Sequence, residues 1–163
     1  MTKLTSTERQ KIQEYTKNGI DISSLLIGKD IKGENLSRAV IKFMQREHDD
    51  ITGCNFSYAT IGNTENKIVY FLRTKMQNCS FEGAKFISTT WIRNCDAKNC
   101  NFKSVDGAKI DYRYTDFTGS SFCEAIITIS TKSGMGCKFD AELLTNLTQY
   151  WGVNVKITRK EGV

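Results

Sequence analysis

Few side chains in this sequence are placed to do chemistry. The one histidine, His48, lies beside Asp49 and Asp50. A carboxylate next to an imidazole can orient it as a general base. Catalysis also needs a nucleophile brought to that base. No motif places a Ser or Cys there, and sequence neighbours seldom build a triad. The chain has no Gly-rich phosphate loop, no HExxH and no Cys-x-x-Cys. The expectation is a protein that is not an enzyme and needs no cofactor and no metal.

Three other sets of residues have suggestive spacing. Cys95 and Cys100 stand close together, but with no second pair and no adjacent His they make a poor zinc set. Asp96, Asp106, Asp111 and Asp116 resemble a carboxylate cluster for calcium. At chain corners, however, Asp and Asn bond the turn's own backbone N–H groups, and that is the reading adopted. Arg73, Arg93 and Arg113 recur every twenty residues, joined by Lys75, Lys98, Lys103 and Lys109. Stacked like charges are unfavourable, so this ladder suggests an anionic partner or, more plainly, a solubilising surface that resists lateral sheet association.

The elements that position these residues follow a rhythm of five. From Ile31 the positions Ile31, Leu36, Ile41, Arg46, Ile51, Phe56, Ile61, Asn66, Phe71, Met76, Phe81, Phe86 and Trp91 are apolar in all but two cases. Five matches neither the helix nor the strand period. It requires a chain that turns a corner every five residues and sends a bulky side chain inward from each side. Two residues earlier sits a small residue (Ala39, Cys54, Ala59, Thr74, Cys79, Ala84), and one residue earlier Asp or Asn recurs (Asp30, Asn35, Asp50, Asn55). After Trp91 the rhythm slips by one and resumes at Phe102, Gly107, Tyr112, Phe117, Phe122 and Ile127. The slip is placed within Ile92–Ala97, as a bulge.

Units such as Cys54-Asn55-Phe56-Ser57-Tyr58, Cys79-Ser80-Phe81-Glu82-Gly83, Cys100-Asn101-Phe102-Lys103-Ser104 and Thr115-Asp116-Phe117-Thr118-Gly119 resemble the pentapeptide-repeat family. The resemblance covers about residues 20–137. It implies an all-β solenoid: a right-handed, parallel, quadrilateral β-helix with four pentapeptides per coil. Folding the pattern at twenty residues stacks Ile31, Ile51, Phe71, Trp91 and Tyr112 on one side. Leu36, Phe56, Met76 and Ala97 stack on a second, and Ile41, Ile61, Phe81, Phe102 and Phe122 on a third. The fourth column, Arg46, Asn66, Phe86, Gly107 and Ile127, is irregular. An unpaired Arg is costly inside, so Arg46 and Asn66 are expected to turn outward. The polar interruptions 45–50, with His48, and 62–67 are then candidate recognition loops.

The whole chain, 1–163, reads as one pentapeptide-repeat domain: an N-terminal capping helix in 1–19, the β-helix in 20–137, and a C-terminal cap and tail in 138–163. Thr5 and Glu8 have capping-box spacing. Pro is absent, as suits paired strands, and no stretch approaches the ~20 apolar residues of a membrane span. With no export signal seen, a cytoplasmic location is expected, although delivery by a dedicated secretion system or a virion stays open. Cys54, Cys79, Cys95 and Cys100 fall on the small inward position and are expected buried and reduced. Leu143, Leu144, Leu147, Tyr150 and Trp151 form an apolar stripe on a predicted C-terminal helix. In the quinolone-resistance members of the family such a helix mediates a dimer, so the resemblance implies a homodimer interface at Leu144, Leu147, Tyr150 and Trp151.

Three functions compete. The first is a non-enzymatic interaction or structural protein, bacterial or phage in character, showing rigid faces to an unidentified protein partner. The second is the family's topoisomerase-binding DNA mimic, which requires an acidic surface and is disfavoured by a net charge of +5. The third is an anion or nucleic-acid binder through Arg73, Arg93 and Arg113. It is weakened because the aromatic residues are expected to point mostly inward.

Overall fold

The computed structural model describes residues 1–62, 65, 68–107, 110–122, 125–127 and 136–140. Thr5 caps helix α1 (Ser6–Lys17) and forms the expected capping box with Glu8. The helix buries Ile12. Ion pairs from Arg9 to Glu34 and from Glu8 to Lys29 tie it to the first coil. Strand β1 (Thr2–Lys3) pairs in parallel with β2 (Lys29–Asp30), and a four-residue helix, α2 (Ser23–Leu26), stands between α1 and β2.

Beyond this cap the chain winds into stacked coils with four sides. On what we call the third face, β3 (Val40–Ile41), β5 (Thr60–Ile61), β7 (Lys85–Phe86), β9 (Asp106–Gly107) and β11 (Ile126–Ile127) stack in parallel. On the fourth face, β4 (Gln45–Glu47), β6 (Val69–Leu72), β8 (Thr90–Arg93) and β10 (Ile110–Arg113) do the same. The first and second faces carry single parallel bridges: Asp50, Lys75, Asp96, Asp116 and Lys138 on one, and Asn35, Asn55, Ser80, Asn101 and Ser121 on the other.

Within each five-residue side, the central residue and the one two places before it point inward, and their immediate neighbours point out. The fifth residue turns the corner. Among the described residues, the nine non-glycine residues with positive φ occupy such corners: Arg38, His48, Tyr58, Arg73, Asn78, Asn94, Asn99, Ser104 and Tyr114. They fall on three of the four corners. The third corner, between the third and fourth faces, is irregular.

The extra residues collect at that irregular corner. Ile61 lies beneath Phe86, and Arg46 beneath Phe71, each separated by one full repeat more than the expected coil. The added repeat falls between β5 and β6. The single-residue slip lies between Phe86 and Ile92, before the stretch where the rhythm placed it. In consequence Ile92 is inward and fully buried, while Trp91 is on the outer surface of β8. The two altered corners pack against each other. Gly62 has φ of +104, and a Cβ there would come within 2.3 Å of Ser88 Oγ, so only glycine fits.

The columns change accordingly. The second face stacks Leu36, Phe56, Phe81, Phe102 and Phe122, not Met76. Its rings are parallel and spaced 5.0, 5.2 and 4.7 Å from Phe56 through Phe122, close to the inter-strand distance. The expected Phe81–Phe102–Phe122 stack is present and gains Phe56 below it. The first face stacks Ile51, Met76, Ala97, Phe117 and Phe139. The fourth stacks Arg46, Phe71, Ile92 and Tyr112.

The small inward positions also hydrogen-bond. Cys54, Cys79, Cys100 and Ser120 donate to the carbonyls of Ile31, Ile51, Met76 and Ala97 in the coil beneath. On the adjoining side Thr74, Cys95 and Thr115 donate to Arg46, Phe71 and Ile92. Burial pushes the Cys54 thiol up to about 12 and the Cys95 thiol up to about 11. For Cys79 the adjoining Cys100 thiol is the main cause of an upward shift, with burial next.

Two predictions test this packing. Ile92→Ala should cost about 2–5 kcal/mol by opening a core cavity, and Trp91→Ala distinctly less; denaturant melts showing the reverse order would restore the sequence register. Thiol labelling of native protein near pH 8 should be slow at Cys54, Cys79, Cys95 and Cys100 and fast after unfolding. Rapid native labelling at any of the four would contradict its burial.

Candidate functional site

The outward residues distinguish the four faces. The first is a ladder of mixed charge in which Lys98 lies between Asp96 and Asp116, at 3.8 and 3.6 Å, and Lys32 pairs with Asp50 at 2.9 Å. The second is mostly uncharged and polar, with Asn35, Asn55, Ser57, Ser80 and Asn101 beside the charged Glu82 and Lys103; Ser57 bonds Ser80 at 2.7 Å and Asn101 donates to Glu82 at 3.1 Å. The described outward strand residues of the third include Val40, Thr60, Lys85 and Asp106. The fourth has the longest strands and the most distinctive side chains. One row across it reads Gln45, Tyr70, Trp91, Asp111, and the next reads Glu47, Leu72, Arg93, Arg113. Along the adjoining corner run His48, Arg73, Asn94 and Tyr114. Among the described residues, only this face has aromatic rings at outward strand positions.

The three arginines do not stack in one column, because Leu72 rather than Arg73 lies beneath Arg93. Arg93 and Arg113 are true neighbours in register on β8 and β10. Arg73 sits one residue further along, at the corner, because the slip precedes Arg93. Arg73 reaches Glu47 at 3.2 Å. Asp111 stands on β10 rather than in a turn and receives both other arginines. Arg113 donates from Nε and Nη2, each at 3.0 Å, and Arg93 donates from Nη2. The Arg93 guanidinium also covers the Trp91 ring, 4.0 Å from its centroid, a favourable cation–π geometry. Tyr70 donates its hydroxyl to Gln45 Oε1 at 3.2 Å.

The four aspartates read together as turn formers thus divide. Asp116 accepts from the N–H of Thr118 at 3.1 Å as expected. Asp106 and Asp111 are strand residues, and Asp96 accepts from the Gln77 amide at 2.6 Å. The same turn bond recurs at Asp50, Asn55 and Asn101.

Arg46 does not turn outward. It is 5% exposed and closes the cap end of the fourth-face column. Its guanidinium donates to Asp49 Oδ2 at 2.8 Å, to the Lys29 carbonyl at 2.8 Å and to the Leu26 carbonyl at 2.9 Å. Asp49, equally buried, also accepts from the N–H of Asp50. This arrangement supplies acceptors where no coil lies beneath, and it removes Asp49 from any role with His48. The His48 ring is largely exposed, with its Nε2 4.0 Å from Glu47. Beside Arg46, the space between α2 and β4 holds a cavity of about 190 Å³, lined by Leu26, Ile27, Phe43 and Met44 among others. Asn66, Leu144, Leu147, Tyr150 and Trp151 lie outside the described residues, as does the predicted C-terminal helix.

Among the described residues, the coils stack in parallel on four sides in units of five, with one added repeat and one added residue at the third corner and left-handed residues at the other three. The chain folds as a pentapeptide-repeat β-helix. No protein-family model matches its sequence, and no curated protein sequence matches it. Solved structures similar to it include QnrB1, a plasmid-mediated fluoroquinolone resistance protein, in a trypsin-treated form, at 15% identity and a TM-score of 0.46. That match covers 78% of this chain, which spans 65% of the other's length. A pentapeptide repeat protein of the Arabidopsis thaliana thylakoid lumen matches at 15% identity and a TM-score of 0.31, covering 78% of this chain and 79% of that one. One from Nostoc matches at 13% and 0.31, covering 84% and 98%. At these identities the pentapeptide-repeat likeness concerns fold alone. Among the described residues, no helix is long and apolar enough to cross a membrane.

Arg46 and Asp49 give the prediction here. Arg46→Met should cost about 3–5 kcal/mol, because it leaves the Asp49 carboxylate buried without its partner. Adding Asp49→Asn should recover part of that loss while keeping the acceptor for Asp50. Denaturant melts showing no recovery would mean that the buried charge is not the cause.

Proposed function

We propose that this chain is a non-enzymatic interaction protein: a rigid β-helix that offers its fourth face to a macromolecular partner. The observation that carries this reading is the outward position of Trp91 beside Tyr70, Leu72, Arg93 and Arg113. Trp, Tyr and Arg are the side chains that dominate binding energy at protein interfaces. Here they are arrayed on strands held in one parallel ladder, β6 and β8 paired on both sides and β10 on one, so little ordering cost remains to be met on binding. The neighbour of the single histidine, Asp49, is held by Arg46 and so is not available to orient the imidazole; that supports a binding rather than a catalytic role. A duplex-DNA mimic needs an acidic exterior. A net charge of +5 and three arginines against two carboxylates on this face speak against that role.

The test is capture from a lysate of the source organism, comparing wild type with the double variant Tyr70→Ala/Trp91→Ala. The variant should melt close to wild type and retain about tenfold less of whatever wild type specifically captures. Equal retention of the same proteins would remove the fourth face as the docking surface.

A further inference from the structure

We infer that the partner surface received by the fourth face is an acidic protein segment whose carboxylates are taken by Arg93 and Arg113. The inference rests on the docking role proposed above and specifies its partner.

The charge count is the first support. Arg73, Arg93 and Arg113 face Glu47 and Asp111, so the face keeps an excess of positive charge even with all its internal pairs made. Asp111 alone answers two guanidiniums. Arg113 spends Nε and Nη2 on it and Arg93 spends Nη2, with the Arg93 Nε buried and without an acceptor, so among the described residues the Nη1 group of each is left for an outside acceptor. The two guanidiniums are held side by side by a carboxylate of the protein itself. An incoming carboxylate therefore meets donors already positioned, and charge-assisted bonds of this kind are among the stronger polar contacts.

The apolar strip argues for protein rather than nucleic acid. Unpaired bases are gripped by stacking on open aromatic faces. One face of Trp91 is already covered by Arg93, and the Tyr70 hydroxyl is tied to Gln45. A phosphate chain crossing the face would also run past Glu47 and Asp111. Discrete carboxylates set among apolar residues would avoid both obstacles, placing apolar side chains over Tyr70, Leu72 and Trp91 and acidic ones at the arginines.

The test uses the full chain with Trp151→Phe, which leaves Trp91 as the only tryptophan. Its fluorescence is followed during titration with a glutamate–tyrosine random copolymer, with polylysine and with oligo-dT, at low and at moderate salt. The copolymer should bind in a salt-dependent manner and polylysine should not. Arg93→Ala/Arg113→Ala should weaken the copolymer about tenfold, and Arg93→Lys/Arg113→Lys, which keeps the charge but loses the planar donor pair, should weaken it less. Copolymer binding indifferent to these variants, or oligo-dT binding more tightly with the same residue dependence, would overturn the inference. If lysate capture depends on Tyr70 and Trp91 while the copolymer does not bind, docking stands and the acidic partner fails. If neither depends on the face, both fail.

Discussion

The fold depends on one backbone constraint: after every five residues the chain must turn a corner, and at three corners of each coil it does so through a residue at positive φ. L-residues enter this region at a cost of roughly 1–2 kcal/mol, and nine non-glycine residues do so here. What offsets the cost is the ladder. Corner N–H groups donate to the coil above: Arg38 to Ser57, Tyr58 to Glu82, Asn78 to Lys98 and Asn94 to Arg113, at 2.7–3.0 Å. The strained residue is thereby held by the stacking it makes possible. Corners can accept Arg, His or Tyr because those side chains project into solvent, as His48 and Tyr114 do.

The exempt corner explains both what could be read in the sequence and what could not. Which residues point inward was legible almost throughout, because side-chain volume repeats with the corner. The stacking order was not. Between Ile61 and Phe71 the insertion equals one repeat, so it preserves the phase and leaves no trace in a rhythm of five. The slip before Ile92 was misplaced for a different reason. Trp91 and Ile92 are both bulky and apolar, and volume alone cannot say which one faces the core. Only pairing with Tyr70 and Phe71 below decides it.

That one-residue ambiguity bears directly on function. With Trp91 inside, β8 would turn Ile92 outward, and Tyr70 would be the one ring at an outward strand position of the fourth face among the described residues. With Trp91 outside, the same strand presents a ring and a guanidinium in contact, and the arginines at 93 and 113 come into register around Asp111. Arg46 shows the opposite error. A charge in an inward position was expected to turn outward because its acceptors, two backbone carbonyls in the cap and a carboxylate three residues on, leave no pattern in the sequence.

The inward thiols and hydroxyls share a direction. From Cys54 to Ser120 each donates to a carbonyl of the coil made before it. A chain leaving the ribosome would therefore find, for each new coil, acceptors already laid down on the last one. The cap, with Arg46 closing its floor, precedes these coils in the chain. The described coils can therefore be assembled in the order of their synthesis, each one templating the next.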